Sequence, residues 1–293
     1  MKTETSYFTI LKTGPGTSIQ DLGRTGFGQY GVPISGVMDT VSMKWINHLL
    51  KNAENEAVIE ISQPGFKIKF EAPVIICIAG AKSATSINGL NVTSEGLLSI
   101  ENGNILEIGS ITVGARVYLG IKNGINIPKA LNSKSCYPGI TELGMLKKGN
   151  QIPYFSTKSD LENSRAKVKF PRDWMESSVI EVYPGPEWKA LNRKTQSRIL
   201  NTRFTLSNQQ NRMAFQLEEL ITNQLEELAT SPVFPGTVQL TSGGKMIVLM
   251  KDAQATGGYP RILQLSEDSI SQLAQKKPKD KITFILKKLF FEN

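Results

Sequence analysis

The chain has 293 residues, 40% hydrophobic and 20% charged, enough to bury a core in one or two globular domains. Its rarest residues exclude the most: a single histidine, His48, and two cysteines, Cys77 and Cys136, lie too far apart for a Cys/His zinc site or a disulfide scaffold, and any serine or cysteine triad would depend on His48 alone. Lys and Arg number 34 against 26 Asp and Glu, for a net charge of +8, yet they are dispersed and accompany no zinc-finger spacing, basic helix or aromatic RNA-binding strand, so the charge reads as a solvated surface with no nucleic-acid partner.

The chain opens Met1-Lys2-Thr3-Glu4-Thr5-Ser6, polar where a signal peptide would turn apolar. Its longest apolar run, 73–81, is too short to span a bilayer. These features, with cysteines of reduced character, predict a cytoplasmic protein without membrane association.

Strand-like runs occur at 8–11, 57–61, 66–70, 74–79, 96–100, 104–108 and 115–121. Asn88-Gly89, Asn102-Gly103 and Asn123-Gly124 lie between such runs and predict tight antiparallel hairpins, because Asn-Gly supplies the positive φ angles those turns need. One helix interrupts them, capped by Asp39 and carrying Val41, Trp45 and Leu49 as an apolar stripe, with His48 beside it as a partly buried structural residue. From 151 to 174 the composition turns to Lys, Ser, Asp, Glu, Arg and Pro and predicts a crossing between domain 1–150 and domain 175–293. The second domain shows strands at 179–183, 236–240, 246–250 and 282–286, with helical periodicity over 217–228 and a capped helix over 266–275. The expected fold is mainly β, two barrel-like domains with a few helices.

Seven of the 25 glycines fall within 14–36, interleaved with Gln20, Asp21, Arg24, Ser35 and Asp39. A glycine-rich loop is entropically costly to order, so polar groups among its glycines suggest close approach of backbone to a polar ligand. Gly26-x-Gly28-x-x-Gly31 has the letters of a dinucleotide fingerprint but no strand before it, and Val32-Pro33 stands where a helix should open. Ser242-Gly243-Gly244-Lys245 lacks phosphate-loop spacing and reads as a hairpin turn, and Met250-Lys251 as a strand end rather than a biotin-carrying lysine. A second dense segment brings Gln239, Asp252, Thr256, Gly257, Gly258 and Tyr259 close in sequence; a strand ending in a carboxylate, followed by a Gly-Gly turn with a hydroxyl and a phenol, can present a small polar ligand with several hydrogen-bonding groups.

Gln20-Asp21-Leu22-Gly23-Arg24-x-Gly26, Gly31-Val32-Pro33-x-Ser35-Gly36-x-Met38-Asp39 and Asn47 resemble the opening of the allophanate hydrolase subunit 2 family, also called biotin-dependent carboxyltransferase-like, which includes the C-subunit of bacterial ATP-dependent 5-oxoprolinase. Gly236-x-Val238-Gln239, Val248-Leu249-Met250-x-Asp252, Thr256-Gly257-Gly258-Tyr259-Pro260 and Leu273-Ala274-Gln275 resemble that family's C-terminal signature. The resemblance implies two cyclophilin-like β-barrel domains, a partner of the allophanate hydrolase subunit 1 type, a LamB/YcsF-like subunit, and ATP-driven opening of 5-oxoproline to glutamate. It implies no tightly bound cofactor and no metal in this chain: ATP with Mg2+ is used by the complex, and biotin enters only if the chain transfers a carboxyl group to urea or another small amide. A third implied role is that of a non-catalytic regulatory partner of a kinase-inhibitor-like subunit 1 protein. On this reading Asp21, Arg24 and Asp252 are catalytic, and Gln20, Ser35, Asp39, Arg212, Gln239, Thr256, Gly257, Gly258 and Tyr259 bind substrate, in two walls drawn from the two ends of the chain. Three family arginine positions are altered, to Lys134, Gly144 and Gln216, where neither lysine nor an uncharged residue reproduces a bidentate guanidinium.

Overall fold

The structure is a computed structural model describing residues 4–93, 96–157 and 169–287. These fall into two compact units, one within Met1–Arg24 and Asp39–Trp174, the other within Thr25–Met38 and Met175–Asn293. The fold is mainly β, as the sequence predicts, but the division is not a single cut: residues 25–38 pack with the C-terminal part of the chain.

In the first unit, β1 (Thr5–Lys12), β2 (Ser18–Gln20), β3 (Val58–Ile61), β4 (Phe66–Phe70), β5 (Val74–Ile87), β6 (Leu90–Asn91), β7 (Leu97–Ile100), β8 (Ile105–Ile121) and β9 (Gln151–Phe155) form one nine-stranded half-barrel. Its path is β2-β3-β8-β4-β1-β9, and β5 pairs with β6, β7 and β8. Period-two alternation sets the faces. In β4, Phe66, Ile68 and Phe70 are buried, while Lys67 points outward and pairs with Glu107 on β8 at 2.8 Å. The runs at 104–108 and 115–121 are one continuous strand, because bulges in its pairing with β5 carry the ladder through the glycine-containing stretch between them. Of the three Asn-Gly turns, Asn88-Gly89 behaves as expected, both residues having positive φ and joining paired Ile87 and Leu90. After Asn102-Gly103 the chain does not return onto β7, and after Asn123-Gly124 Ile125 bridges Tyr154, with the Asn123 N–H taken by Asn52 Oδ1. Tertiary partners override the hairpin signal there.

Helix α1 (Thr40–Leu50) starts where Asp39 accepts the Ser42 N–H and ends at Lys51 with φ 50°. Its buried face is Met43, Ile46 and Leu50 with Ser42 and Asn47, rotated from the expected stripe; Val41, Trp45 and Leu49 are half-buried, and Trp45 meets Phe170 edge-on at 5.5 Å. His48 is exposed, not partly buried, because it projects from the opposite side of the helix. Of the expected crossing segment, Gln151–Phe155 is strand β9, paired antiparallel to β1, and Asp173–Glu176 is a short helix, α2.

The second unit contains β10 (Val179–Pro184), β11 (Phe204–Gln210), β12 (Ala214–Leu217), β13 (Ser231–Pro232), β14 (Thr237–Leu240), β15 (Met246–Leu249), β16 (Thr256–Gly257), β17 (Arg261–Leu265) and β18 (Lys281–Leu286). Seven of these close a barrel in the order β10-β17-β14-β15-β12-β11-β18, sealed by a parallel pairing of β10 with β18. Closure removes free edges from the barrel strands. Val182, Phe204, Phe215, Val238, Val248 and Leu263 belong to its core, and Met38 from the N-terminal segment is buried with them. Helix α3 (Arg193–Asn201), capped by Asn192, was not evident in the sequence; α4 (Glu267–Ala274), capped by Ser266, was, with Ile270, Leu273 and Ala274 buried as expected. The helical periodicity of 217–228 is not realised: Leu217 ends β12, and the Ile221 and Leu228 N–H groups bond to the Gly244 and Gly258 carbonyls. Their donors are spent across the fold instead of along a helix.

Helix α1 lies on β8 at Gly120, where a Cβ would stand 2.1 Å from Ile46 Cγ2 and 3.0 Å from Leu50 Cδ1. Gly120→Ala is therefore expected to destabilise the protein by about 1–3 kcal/mol through overpacking, read as a lower urea midpoint.

Candidate functional site

In the first unit, strand pairing aligns Ser18, Glu60 and Tyr118 side by side across β2, β3 and β8. Their neighbours Ile19, Ile59 and Leu119 form the adjacent row and face the hydrophobic core, so the polar row lies on the opposite face. That face is buried too: Gln20, Glu60 and Tyr118 are at most 1% exposed, and Arg24 2%. The Tyr118 hydroxyl accepts from the Asp39 N–H at 3.1 Å and donates to Glu60 Oε2 at 3.0 Å. Asp39 thus caps α1 with its side chain and docks the helix onto β8 with its backbone. Burial, with the Glu60 and Asp39 carboxylates nearby, pushes the Tyr118 phenol well above its ordinary range, and the Arg116 charge only partly offsets this. Glu60, Tyr118 and Arg116 escaped the sequence reading; the available signal was a lone glutamate in the apolar run Val58-Ile59-Glu60-Ile61.

The glycine-rich segment is fastened to residues 133–136. Asp21 Oδ1 accepts from the Ser133 and Ser135 hydroxyls, each at 2.6 Å, and from the Gly23 N–H at 2.8 Å, while Oδ2 accepts from the Lys134 N–H at 2.7 Å. Arg24 Nη2 donates to the Ser135 carbonyl, and Gln20 Nε2 to Ser18 Oγ at 2.9 Å and the Cys136 carbonyl at 3.4 Å. Gln20 Oε1 is buried without a partner. Lys134 Nζ turns away to Glu56 Oε1 at 2.6 Å and the Ile125 carbonyl at 2.7 Å. Four donors converge on Asp21, so its geometry suits holding a loop more than taking a proton.

In the second unit, Arg212 grips Asp252 bidentately, Nε to Oδ2 at 2.8 Å and Nη2 to Oδ1 at 2.9 Å, and Nη2 also donates to the Gly36 carbonyl at 2.6 Å. The Ser35 N–H donates to the Lys251 carbonyl at 2.9 Å. Ser35, Arg212 and Asp252 are thereby brought together, and the first lies far from the others in sequence. Gln239, Gly257 and Tyr259 form another group: Gln239 Nε2 donates to the Tyr259 carbonyl at 3.4 Å, and a Cβ on Gly257 would stand 2.6 Å from that nitrogen. Glycine is needed there for the close approach. Gly258 accepts from the Leu228 N–H at 2.7 Å. Thr256 pairs with Pro232 and is exposed, and the Tyr259 ring is also exposed. Among the described residues no group of three or more His, Cys, Asp or Glu is arranged to hold a metal, and no helix is long and apolar enough to cross a membrane.

Gly26-x-Gly28-x-x-Gly31 forms one turn of 3-10 helix (Gly28–Tyr30) ending in left-handed Gly31. Ser242–Lys245 is the hairpin between β14 and β15, with the Gly244 and Lys245 N–H groups both bound to Thr241. Lys251 is buried, and its Nζ is held by the Glu267 carboxylate at 2.7 and 3.0 Å.

Tyr118→Phe leaves the Glu60 carboxylate and the Asp39 N–H each short of a buried partner, for an expected loss of about 2–4 kcal/mol in chemical denaturation. Because the folded pKa is raised, Tyr118 contributes stability below the unfolded value of 10.0 that is lost as pH rises above it. In an absorbance titration near pH 10, native wild type and Tyr118→Phe should coincide, and differ by one tyrosine only after unfolding. Asp252→Ala strands the Arg212 charge and is expected to cost about 3–5 kcal/mol; adding Arg212→Met should recover part of that loss in thermal melts.

A family model described as carboxyltransferase domain, subdomain A and B, matches residues 30–286. The chain is 31% identical over 272 residues to the 5-oxoprolinase C-subunit of Escherichia coli (strain K12), covering 91% of this chain and 86% of that one. It is 32% identical over 284 residues to the 5-oxoprolinase C-subunit of Haemophilus influenzae, covering 94% and 89%. Among solved structures, the K. lactis urea amidolyase shares the fold over 98% of this chain with a TM-score of 0.81 at 23% identity, and this chain spans 19% of that one. By the family match and by identity to full-length relatives, the chain belongs to the carboxyltransferase-domain family, subdomain A and B.

Proposed function

We propose that the chain is a component of an ATP-dependent 5-oxoprolinase complex in the cytoplasm, opening 5-oxoproline to glutamate beside an allophanate hydrolase subunit 1-type partner and a LamB/YcsF-like subunit. The observation that carries this reading is similarity along nearly the whole chain to two proteins named as the 5-oxoprolinase C-subunit, of which it spans 86% and 89%.

The lactam bond resists water because amide resonance deactivates its carbonyl. ATP with Mg2+ supplies the activation that turns the lactam oxygen into a leaving group. In this chain the Gly244 and Lys245 N–H groups of the Ser242–Lys245 turn are spent on Thr241 and are not offered to phosphates, so the nucleotide is assigned to another subunit. The remaining work is binding and orientation. Arg24, held by the Ser135 carbonyl, places a guanidinium beside the Gln20 amide segment, where it favours charge growing on a substrate oxygen. Gln20 Nε2 is committed to the Cys136 carbonyl, leaving Oε1 as an acceptor for a substrate N–H. Asp21 orients the loop bearing Ser133 and Ser135, and Asp252 holds Arg212. Glu60 is the buried carboxylate closest in kind to a proton acceptor, its Oε2 engaged by Tyr118. In the second unit, Gln239, Thr256, Gly257, Gly258 and Tyr259 offer hydrogen-bonding groups of their own for a small amide.

Carboxyl transfer to urea or another small amide is the second reading, favoured by the family's carboxyltransferase description. Carboxybiotin would then arrive on a different chain, since Lys251 is buried in its ion pair with Glu267.

The test is reconstitution with the two partner subunits and measurement of ATP-dependent glutamate release from 5-oxoproline. Arg24→Lys should lower kcat/KM about 100-fold; because the buried guanidinium also holds the Ser135 carbonyl, the rate is read on protein whose circular-dichroism spectrum at the assay temperature matches wild type. Complex formation without glutamate release, or full activity in Arg24→Lys, counts against the proposal; decarboxylation of carboxybiotin that requires urea would select the second reading.

A further inference from the structure

Among the described residues, Ser35 alone combines a left-handed backbone on a non-glycine residue, φ 59°, with a fully buried side-chain oxygen that has no hydrogen-bond partner. Both properties cost stability. A side chain with a Cβ is disfavoured in the left-handed region, and a buried hydroxyl without a partner keeps its full desolvation cost. Glycine at 35 would remove the first cost and the orphan together; alanine would remove the second without sacrificing any hydrogen bond seen in the fold.

The backbone around Ser35 is nevertheless held from both sides. Its N–H is bound to the Lys251 carbonyl, and the next carbonyl, that of Gly36, receives Arg212 Nη2, whose guanidinium is locked by Asp252. Val37 and Met38 follow, both buried. A strained turn clamped at its ends, with a side-chain hydroxyl buried and unanswered, is arranged for a ligand and not for the fold.

We propose that Ser35 Oγ is a specificity-determining contact that hydrogen-bonds the amide group of the substrate, an inference that rests on the small-amide reading above. The hydroxyl has both its proton and its lone pairs uncommitted, so it can serve an amide carbonyl or an amide N–H. Reaching it requires the Ser35–Gly36 turn to open, and the left-handed strain lowers the cost of that opening.

The test uses the full chain, alone and co-purified with its partner subunits, as wild type, Ser35→Ala and Ser35→Gly. Melting temperatures are recorded without ligand and across titrations of 5-oxoproline, 2-pyrrolidinone and urea. The expected result is that both variants melt at or above wild type without ligand, while the amide-induced upward shift of wild type needs about tenfold more ligand in each variant. A drop of several degrees in unliganded Ser35→Ala would make the hydroxyl structural and overturn the inference. So would an amide response equal in all three proteins, or none in wild type. Glutamate release judges the oxoprolinase reading separately: turnover with Ser35-independent binding defeats this inference alone, and Ser35-dependent binding without turnover defeats the oxoprolinase reading alone.

Discussion

A carboxylate stays buried only where its lone pairs are answered, and Asp21 meets that condition with donors from four residues. Its position just after β2 and the position of Ser133–Ser135 are separated by more than a hundred residues, so satisfying this one side chain closes a long loop of the first unit. Gln20 and Arg24 add their own bonds to the Cys136 and Ser135 carbonyls, and the Cys136 N–H returns to Ile19. The segment that looks in sequence like a flexible glycine loop is thus among the most constrained parts of the chain. Its glycines provide turns, as at Gly23 with φ 90°, whose N–H completes the shell around Asp21.

The second unit solves a different problem. A seven-stranded barrel closed by a parallel pair has no exposed ladder, and its interior is filled by apolar residues from the strands together with Met38. Inserting Met38 from a distant part of the chain brings Ser35 and Gly36 against the loop after β15. There the Arg212–Asp252 pair acts as a clamp: desolvated charges are tolerated because the guanidinium fork matches both carboxylate oxygens and has a donor left for Gly36. Polar residues at the two ends of the sequence become functional candidates through such packing and not through proximity along the chain.

The altered arginine positions take on physical meaning in this setting. Lys134 spends its ammonium on Glu56 and a backbone carbonyl, a local anchor. At Gly144 a Cβ would meet nothing within 4 Å, so the missing side chain leaves open space rather than a tighter contact. Gln216 sits in β12, opposite Ile247. The chain therefore keeps Arg24 and Arg212 as built-in cations while losing others, a pattern that bears on which anionic or polar groups it can receive.

Much of the fold was legible by itself. Alternation located most strands, Asp39 and Ser266 announced two helix starts, and Asn88-Gly89 announced one true hairpin, because these signals depend on residues within a few positions of each other. The segments around Gln20–Arg24 and Gln239–Tyr259 were likewise visible as polar residues among glycines. What tertiary structure decided was every matter of partnership. It placed residues 25–38 with the C-terminal unit, denied a helix to 217–228 by offering its amides other carbonyls, and turned His48 to solvent. It also made Asp21 an organiser of a loop and gathered Glu60, Tyr118 and Asp39 into one buried network. Local pattern determines which way a side chain points from its own strand or helix; which donor answers which acceptor depends on chain segments that only the folded state brings within hydrogen-bonding distance.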